Sequence, residues 1–223
     1  MFEAILNFLF PPKCPACQQY IEHNGEWCED CLTKVLVLRR LPLEPALAEI
    51  FTDGIWCMGE YDGPLKKLIA DMKFEKKQSA IKALKYFTNV GVERLAAQQS
   101  VFSNIDVTVP VPLHKSKLKK RGFNQSIELF RQSITQIGVD FQDYLSRVRN
   151  TEPQFGLAQH ERQKNLKDAF EISDENREKI VGKNILLVDD IFTTGATFFE
   201  CGKSLKRAGA ANLAGLVVAS GRK

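Results

Sequence analysis

The sequence predicts an α/β domain built on a mostly parallel sheet, preceded by a small four-cysteine module. Three observations predict it. Ile185-Leu186-Leu187-Val188 is a continuous apolar run of the kind that forms a strand buried on both faces. Similar short runs alternate along the chain with segments whose apolar residues recur at helical spacing. Two C-x-x-C pairs, Cys14/Cys17 and Cys28/Cys31, stand close together near the N-terminal end.

The bulk properties agree. A chain of 223 residues with 44% hydrophobic and 26% charged residues has room for one full domain and a small module, and excludes disorder, collagen-like repeats and coiled-coil fibres. Its net charge of +4 permits an anionic ligand without demanding one. No stretch reaches the roughly 20 apolar residues that a membrane helix needs. The opening MFEAILNFLFPP lacks the basic region and small-residue cleavage site of a signal peptide, so a cytoplasmic protein is expected.

Read in order, residues 1–10 carry Phe2, Ile5, Leu6, Leu9 and Phe10 at helix-like spacing, stopped by Pro11-Pro12. Cys14, Cys17, Cys28 and Cys31 follow. Each C-x-x-C pair can turn two thiolates onto one ion, and two pairs complete a tetrahedral shell for structural Zn²⁺. A thioredoxin-like redox motif is the rival reading, but it comes singly and beside a βαβ unit. His23 and Trp27, between the pairs, are not needed as ligands. Cys57 and Cys201 have no near partner and read as small buried apolar residues. Residues 38–45 hold two prolines and read as a linker, dividing the chain into an N-terminal part, 1–45, and an α/β domain, 46–223.

In that domain a strand is expected at 55–61, then a turn at Asp62-Gly63-Pro64. Leu65, Leu68, Ile69 and Met72 predict a helix, and a second helix covers about 79–98. A β-branched strand at 106–111 ends at Pro112, and 124–137 is helical. Beyond the 185–188 strand, Phe198, Cys201, Leu205 and Ala208 step by helical intervals to Gly209. A last strand is expected at 213–219.

The segment ILLVDDIFTTGAT, residues 185–197, carries the chemistry. A buried strand delivers Asp189 and Asp190 to its C-terminal end, where open α/β sheets bind ligands. Thr193, Thr194, Gly195, Ala196 and Thr197 then lead straight into a helix, whose first N–H groups and positive dipole end suit a phosphate. Carboxylates that accept from sugar hydroxyls, beside a phosphate cradle, point to a phosphorylated sugar. The bland alternatives for the acids are a solvated strand end or a metal pair.

This segment resembles the phosphoribosyl-pyrophosphate (PRPP) signature of type I phosphoribosyltransferases. Val109-Pro110-Val111-Pro112-Leu113-His114, Arg121-Gly122-Phe123-Asn124-Gln125, the Pro153 to Phe170 segment and the four-cysteine knuckle together resemble the competence protein F (ComF) family, over nearly the whole chain. The resemblance implies a type I phosphoribosyltransferase-like domain, a link to natural competence and uptake of DNA, and PRPP as ligand with Mg²⁺ on its diphosphate. It implies that Asp189 and Asp190 hold the ribose and stabilise charge at the anomeric carbon, while residues 193–197 hold the 5′-phosphate.

By the same resemblance, Lys115, Lys117 and Arg121 stand near the pyrophosphate, and residues 150–166 form a hood from which Arg162 and Lys164 reach it. A solvated basic loop, or contact with a nucleic-acid backbone, are the other readings of the 115–121 run. His160 reads as a surface residue. Glutamine amidotransferases use an N-terminal cysteine nucleophile on a separate domain. Cys14 is taken by the knuckle here, so ammonia from glutamine is not the expected second substrate. The acceptor is unspecified, and a PRPP sensor or scaffold without turnover is the alternative. Expected partners are single-stranded DNA, through the 115–121 run and through Lys73, Lys76, Lys77, Lys82 and Lys85, and a competence helicase or other DNA-uptake proteins.

Overall fold

The computed structural model describes residues 11–98, 102–149 and 166–222. The helix expected at 1–10 and most of the expected hood, with His160, Arg162 and Lys164, lie outside the described residues. The chain runs through α1 (Glu29–Val35), β1 (Arg39–Arg40), α2 (Pro45–Ile50), β2 (Ile55–Glu60) and α3 (Gly63–Ala70). A π-helical turn, Asp71–Glu75, joins α3 to α4 (Gln78–Ala97). Then come β3 (Val107–Pro110), α5 (Lys115–Arg121), α6 (Gln125–Gln136) and β4 (Asp140–Phe141). A hairpin of β5 (Leu145–Arg147) and β6 (Phe170–Ile172) precedes α7 (Asp174–Arg177), β7 (Asn184–Phe192), α8 (Ala196–Arg207) and β8 (Asn212–Ser220).

The main sheet has the order β1-β2-β8-β7-β3-β4, with β1 antiparallel to β2 and every other pairing parallel. The 185–188 run occupies the middle of β7 and behaves as its composition predicts. Leu186 and Val188 pack with Leu84 and Phe87 of α4 and Phe130 of α6. Ile185 and Leu187 pack on the other face, with Phe51, Phe198 and Leu205 from the α2 and α8 side. A strand buried on both faces has no reason to alternate in polarity, which is why the pattern is a run.

Three local differences from the sequence reading have simple causes. The 38–45 stretch contributes β1, with Arg39 opposite Cys57 and Arg40 opposite Trp56. Its prolines, Pro42 and Pro45, both follow this short edge strand, and Pro45 opens α2, where a missing N–H costs little. The 115–121 run is helical. His114 accepts a hydrogen bond from Ser116 N at its start, and Gly122, at φ 91°, stops it. The helix expected through Met72 changes to π geometry at Asp71.

The knuckle is docked on the domain by Trp27. That ring is buried, 5.4 Å from the Phe87 ring, and its Nε1 donates to Ala83 O at 2.9 Å. Gly25, at φ +99°, lets the loop backbone lie against α4, where an added Cβ would come within 2.7 Å of Lys82 Cβ. No helix among the described residues is long and apolar enough to cross a membrane.

The topology fixes where a ligand can sit. From β3 the chain leaves through α5 and α6 to β4 on one side; from β7 it leaves through α8 to β8 on the other. β3 and β7 are neighbours, so the strand order reverses between them. The crevice beyond their C-terminal ends is the switch point where such sheets bind ligands.

Candidate functional site

Two sites emerge. In the knuckle, the four Sγ atoms of Cys14, Cys17, Cys28 and Cys31 all lie within 4.8 Å of one another, with Cys17 and Cys28 3.6 Å apart. A zinc–thiolate tetrahedron with bonds of about 2.3 Å has sulfurs about 3.8 Å apart, so the donor set fits Zn²⁺. Four sulfurs this close can all be thiolates only with a cation between them. Burial and the adjacent thiols of Cys28, Cys17 and Cys14 push the Cys31 thiol up to about 12. Cys57 and Cys201 are fully buried in the domain core, away from this cluster.

The second site is the crevice at the switch point. Asp189 and Asp190 stand near the C-terminal end of β7, only 8% and 2% exposed. Successive residues of a strand face opposite sides. Asp190 Oδ2 therefore meets Lys73 Nζ from the α3–α4 side, at 2.6 Å. Asp189 accepts from Ser126 Oγ at 2.9 Å and from the Asp190 backbone N at 2.8 Å. Burial and the neighbouring Asp190 charge push the Asp189 carboxyl up to about 7, against the opposing pull of Lys73.

Lys73 reaches Asp190 because of the π turn. That turn closes with Lys76 in left-handed geometry at φ 52°, and Lys77 Nζ ties back to Asp71 Oδ1 at 2.9 Å. A π turn inserts one residue into a helix and re-aims the side chains around it.

The Arg121 to Gln125 motif braces the same carboxylates from the β3 side. Asn124 caps α6 by accepting from Ser126 N at 2.9 Å, and its Nδ2 donates to Val111 O at 3.0 Å, just past β3. The cap is worth about 1 kcal/mol to a helix, and here it also presents Ser126 to Asp189. Arg121 donates to Gln125 Oε1. Burial lowers the Arg121 guanidinium, while Asp190 and then Asp189 raise it. Lys117, one turn earlier on the same face of α5, is lowered by burial and by the charges of Arg147, Arg121 and Lys73. A cluster of cations therefore surrounds two acids. Lys115, Lys119 and Lys120 are exposed on the other side of α5.

After β7, Thr193 is exposed, Thr194 and Thr197 are half-buried, and Gly195 and Ala196 are buried. Gly195 starts α8 at φ 85°, and an added Cβ would lie 2.9 Å from both Leu47 Cδ2 and Phe192 Cζ. Position 195 thus requires glycine on conformation and on space.

Most of the residues singled out in the sequence come together: Asp189, Asp190, Lys117, Arg121 and the 193–197 loop. Lys115 stands apart. Lys73, Ser126 and Arg147 are additions. Lys73 reads in sequence as one of a basic run, yet of that run Lys73, Lys77 and Lys85 pair with Asp190, Asp71 and Glu128. The N-Q-S sequence after Gly122 is a helix-cap signal that places Ser126 in the first turn.

Comparison with known proteins agrees with the four-cysteine knuckle and finds relatives of most of the chain. A family model described as a double zinc ribbon domain matches residues 5–57. The DNA utilization protein YhgH of Salmonella typhimurium is 30% identical over 202 residues, 90% of this chain and 80% of that protein. The chain belongs to the family of YhgH and competence protein F. Competence protein F of Haemophilus influenzae is 28% identical over 199 residues, 89% of this chain and 80% of the relative. Among solved structures, glutamine PRPP amidotransferase from B. subtilis, complexed with ADP and GMP, matches 67% of this chain at 18% identity and a TM-score of 0.44. The match spans 30% of that chain. The four-cysteine knuckle is this family member's zinc-binding ribbon.

Two outcomes follow from these sites. Cys28→Ser should lower zinc well below the one equivalent expected of the wild type and destabilise the knuckle, since structural zinc contributes directly to folding. Metal analysis under reducing conditions without chelator checks this, and a wild type purified with far less than one equivalent would refute it. The second concerns Asp189. Between about pH 4 and pH 7 the folded state keeps a proton on this raised carboxyl that the unfolded chain has lost, so its contribution to stability falls as pH rises through that window. Asp189→Asn keeps the acceptor for Ser126 and removes this dependence. Its stability should therefore rise relative to the wild type between about pH 4.5 and about pH 8. Urea midpoints offset equally at both pH values would contradict it.

Proposed function

We propose that this chain binds PRPP at the β3–β7 crevice and transfers its phosphoribosyl group to an acceptor, in the service of DNA utilization. The observation that carries the reading is the buried Asp189–Asp190 pair, with cations on one side and a glycine-capped loop opening a helix on the other. A phosphorylated sugar diphosphate has the matching charges: a phosphate for the loop, hydroxyl donors for the carboxylates and a diphosphate for the cations.

In this reading the loop Thr193, Thr194, Gly195, Ala196 and Thr197 holds the 5′-phosphate through N–H groups and hydroxyls. Asp189 and Asp190 accept from the ribose hydroxyls and favour the positive charge that grows at the anomeric carbon as its bond to pyrophosphate breaks. Pyrophosphate leaves with the bonding electrons, and Lys73, Lys117 and Arg121 neutralise it. Lys115 adds charge from the exposed side, and Arg162 is the residue proposed to close on the diphosphate from the 150–166 segment. Mg²⁺ bound with the diphosphate would supply further neutralisation. Lys73 holds Asp190 when no ligand is present and is placed to pass to the incoming diphosphate.

The names of the relatives, competence protein F and DNA utilization protein, bring nucleic acid into the proposal. Lys76, Lys82, Lys115, Lys119 and Lys120 are exposed and form the surface proposed for single-stranded DNA. A competence helicase or another DNA-uptake protein would then be the partner that delivers it.

Asp190→Asn removes a charged acceptor, an interaction worth ~1.5–3 kcal/mol. PRPP affinity with magnesium should fall roughly ten- to a hundredfold by calorimetry, at about 1.4 kcal/mol per decade. Equal affinities would place the ligand elsewhere. Pyrophosphate release with single-stranded DNA and cell extract as acceptor sources separates transfer from binding, and tight PRPP binding without release would make the protein a sensor. For DNA, four or five phosphate contacts predict a log–log salt slope of roughly −3 to −3.5. Replacing Lys119 and Lys120 by Gln should flatten it by about 1.4. Fluorescence anisotropy showing no binding at low salt would leave the DNA connection to protein partners.

A further inference from the structure

We propose that Arg222 is a positioning residue for the phosphate loop. The sheet register brings it there. Phe192 of β7 lies opposite Ser220 of β8, so continuing two residues along each parallel strand sets Arg222 beside Thr194. The contacts follow: Arg222 Nη2 donates to Thr194 O at 3.3 Å, and the same nitrogen lies 3.2 Å from Glu44 Oε1, just before α2. The guanidinium carbon stands 5.5 Å from the centroid of the Phe192 ring. Arg222 is itself held by the backbone. Its N–H donates to Ser220 Oγ at 3.1 Å, and its carbonyl accepts from Arg39 Nη2 of β1.

The hold on a carbonyl rather than on a side chain is what matters. No described peptide bond is cis, and in a trans peptide the C=O and the next N–H point in opposite directions. Arg222 draws the Thr194 carbonyl towards the β1–α2 side, which turns the Gly195 N–H to the opposite side of the loop. Free of a cation, that carbonyl can rotate with little resistance, because Gly195 tolerates many backbone conformations. The Phe192 ring stands against Gly195, 2.9 Å from where a Cβ would lie, so the guanidinium, the ring and Glu44 together hold one orientation of this peptide. The arginine fork suits this double task; a lysine ammonium can pair with Glu44 but does not stack on the ring with the same geometry.

The inference rests on the assignment of residues 193–197 to a sugar 5′-phosphate. It predicts a split between two half-ligands. Ribose 5-phosphate and magnesium pyrophosphate are titrated separately by calorimetry into the wild type, Arg222→Ala and Arg222→Lys, each with its zinc content and thermal unfolding recorded. Arg222→Ala should weaken ribose 5-phosphate by about tenfold, the scale of one charge-assisted hydrogen bond, and leave pyrophosphate within about twofold. Arg222→Lys should recover part of the loss. Equal weakening of both ligands, or unchanged ribose 5-phosphate affinity in Arg222→Ala, would overturn the role of Arg222 alone. A wild type that takes pyrophosphate but no ribose 5-phosphate would overturn the loop assignment and this inference with it.

Discussion

Two adjacent carboxylates buried at the end of one strand are the constraint around which this molecule is arranged. Taking a carboxylate out of water costs several kcal/mol unless it is paired or hydrogen-bonded. The pleat sends the two side chains apart, yet both Asp189 and Asp190 find partners in the single helical layer formed by α3, α4 and α6. Lys73 answers Asp190 from the π turn before α4, Ser126 answers Asp189 from the start of α6, and Arg121 bears on both. The caps, turns and helix ends nearby take the positions that these contacts need. Asn124 shows the economy of this arrangement: one side chain starts α6, holds the end of β3 and sets Ser126.

The knuckle enters the same arrangement through α4. Trp27 docks on Ala83 and Phe87, within the first three turns of that helix, and the π turn carrying Lys73 immediately precedes it. The zinc ribbon is thus built onto the element that orients one wall of the crevice. Trp27 sits on the core, and of the four cysteines Cys14 is buried, Cys28 and Cys31 are half-buried and Cys17 is exposed.

What the sequence discloses here depends on how local the cause is. The β7 run, the Thr/Gly loop, the two C-x-x-C pairs and the helix at 124–137 were legible because each is set by residues adjacent in the chain. The helix at Lys115–Arg121 was not, since Leu118 is its only large apolar residue and leaves no periodicity to read. Lys73 was hidden for a different reason. In sequence it is one lysine among five, and only the folded position of Asp190 distinguishes it from Lys76 or Lys82. The edge strand at Arg39-Arg40 was masked by its prolines. Arg222 follows from the register between β7 and β8, which no short window contains.

The π turn at Asp71–Glu75 has a consequence of its own. A residue in a helix is rotated by about 100° from its neighbour, so the angle at which Lys73 leaves the helix is counted from the fixed end of α3. Most changes of side chain in this turn leave that count intact. Loss of a single residue between Leu68 and Lys73 does not: the lysine would swing off the carboxylate even with every chemical group in the site preserved. Chain length, held to one residue, is therefore part of the specification of this site, and insertions or deletions here would be tolerated far less than in the loops around them.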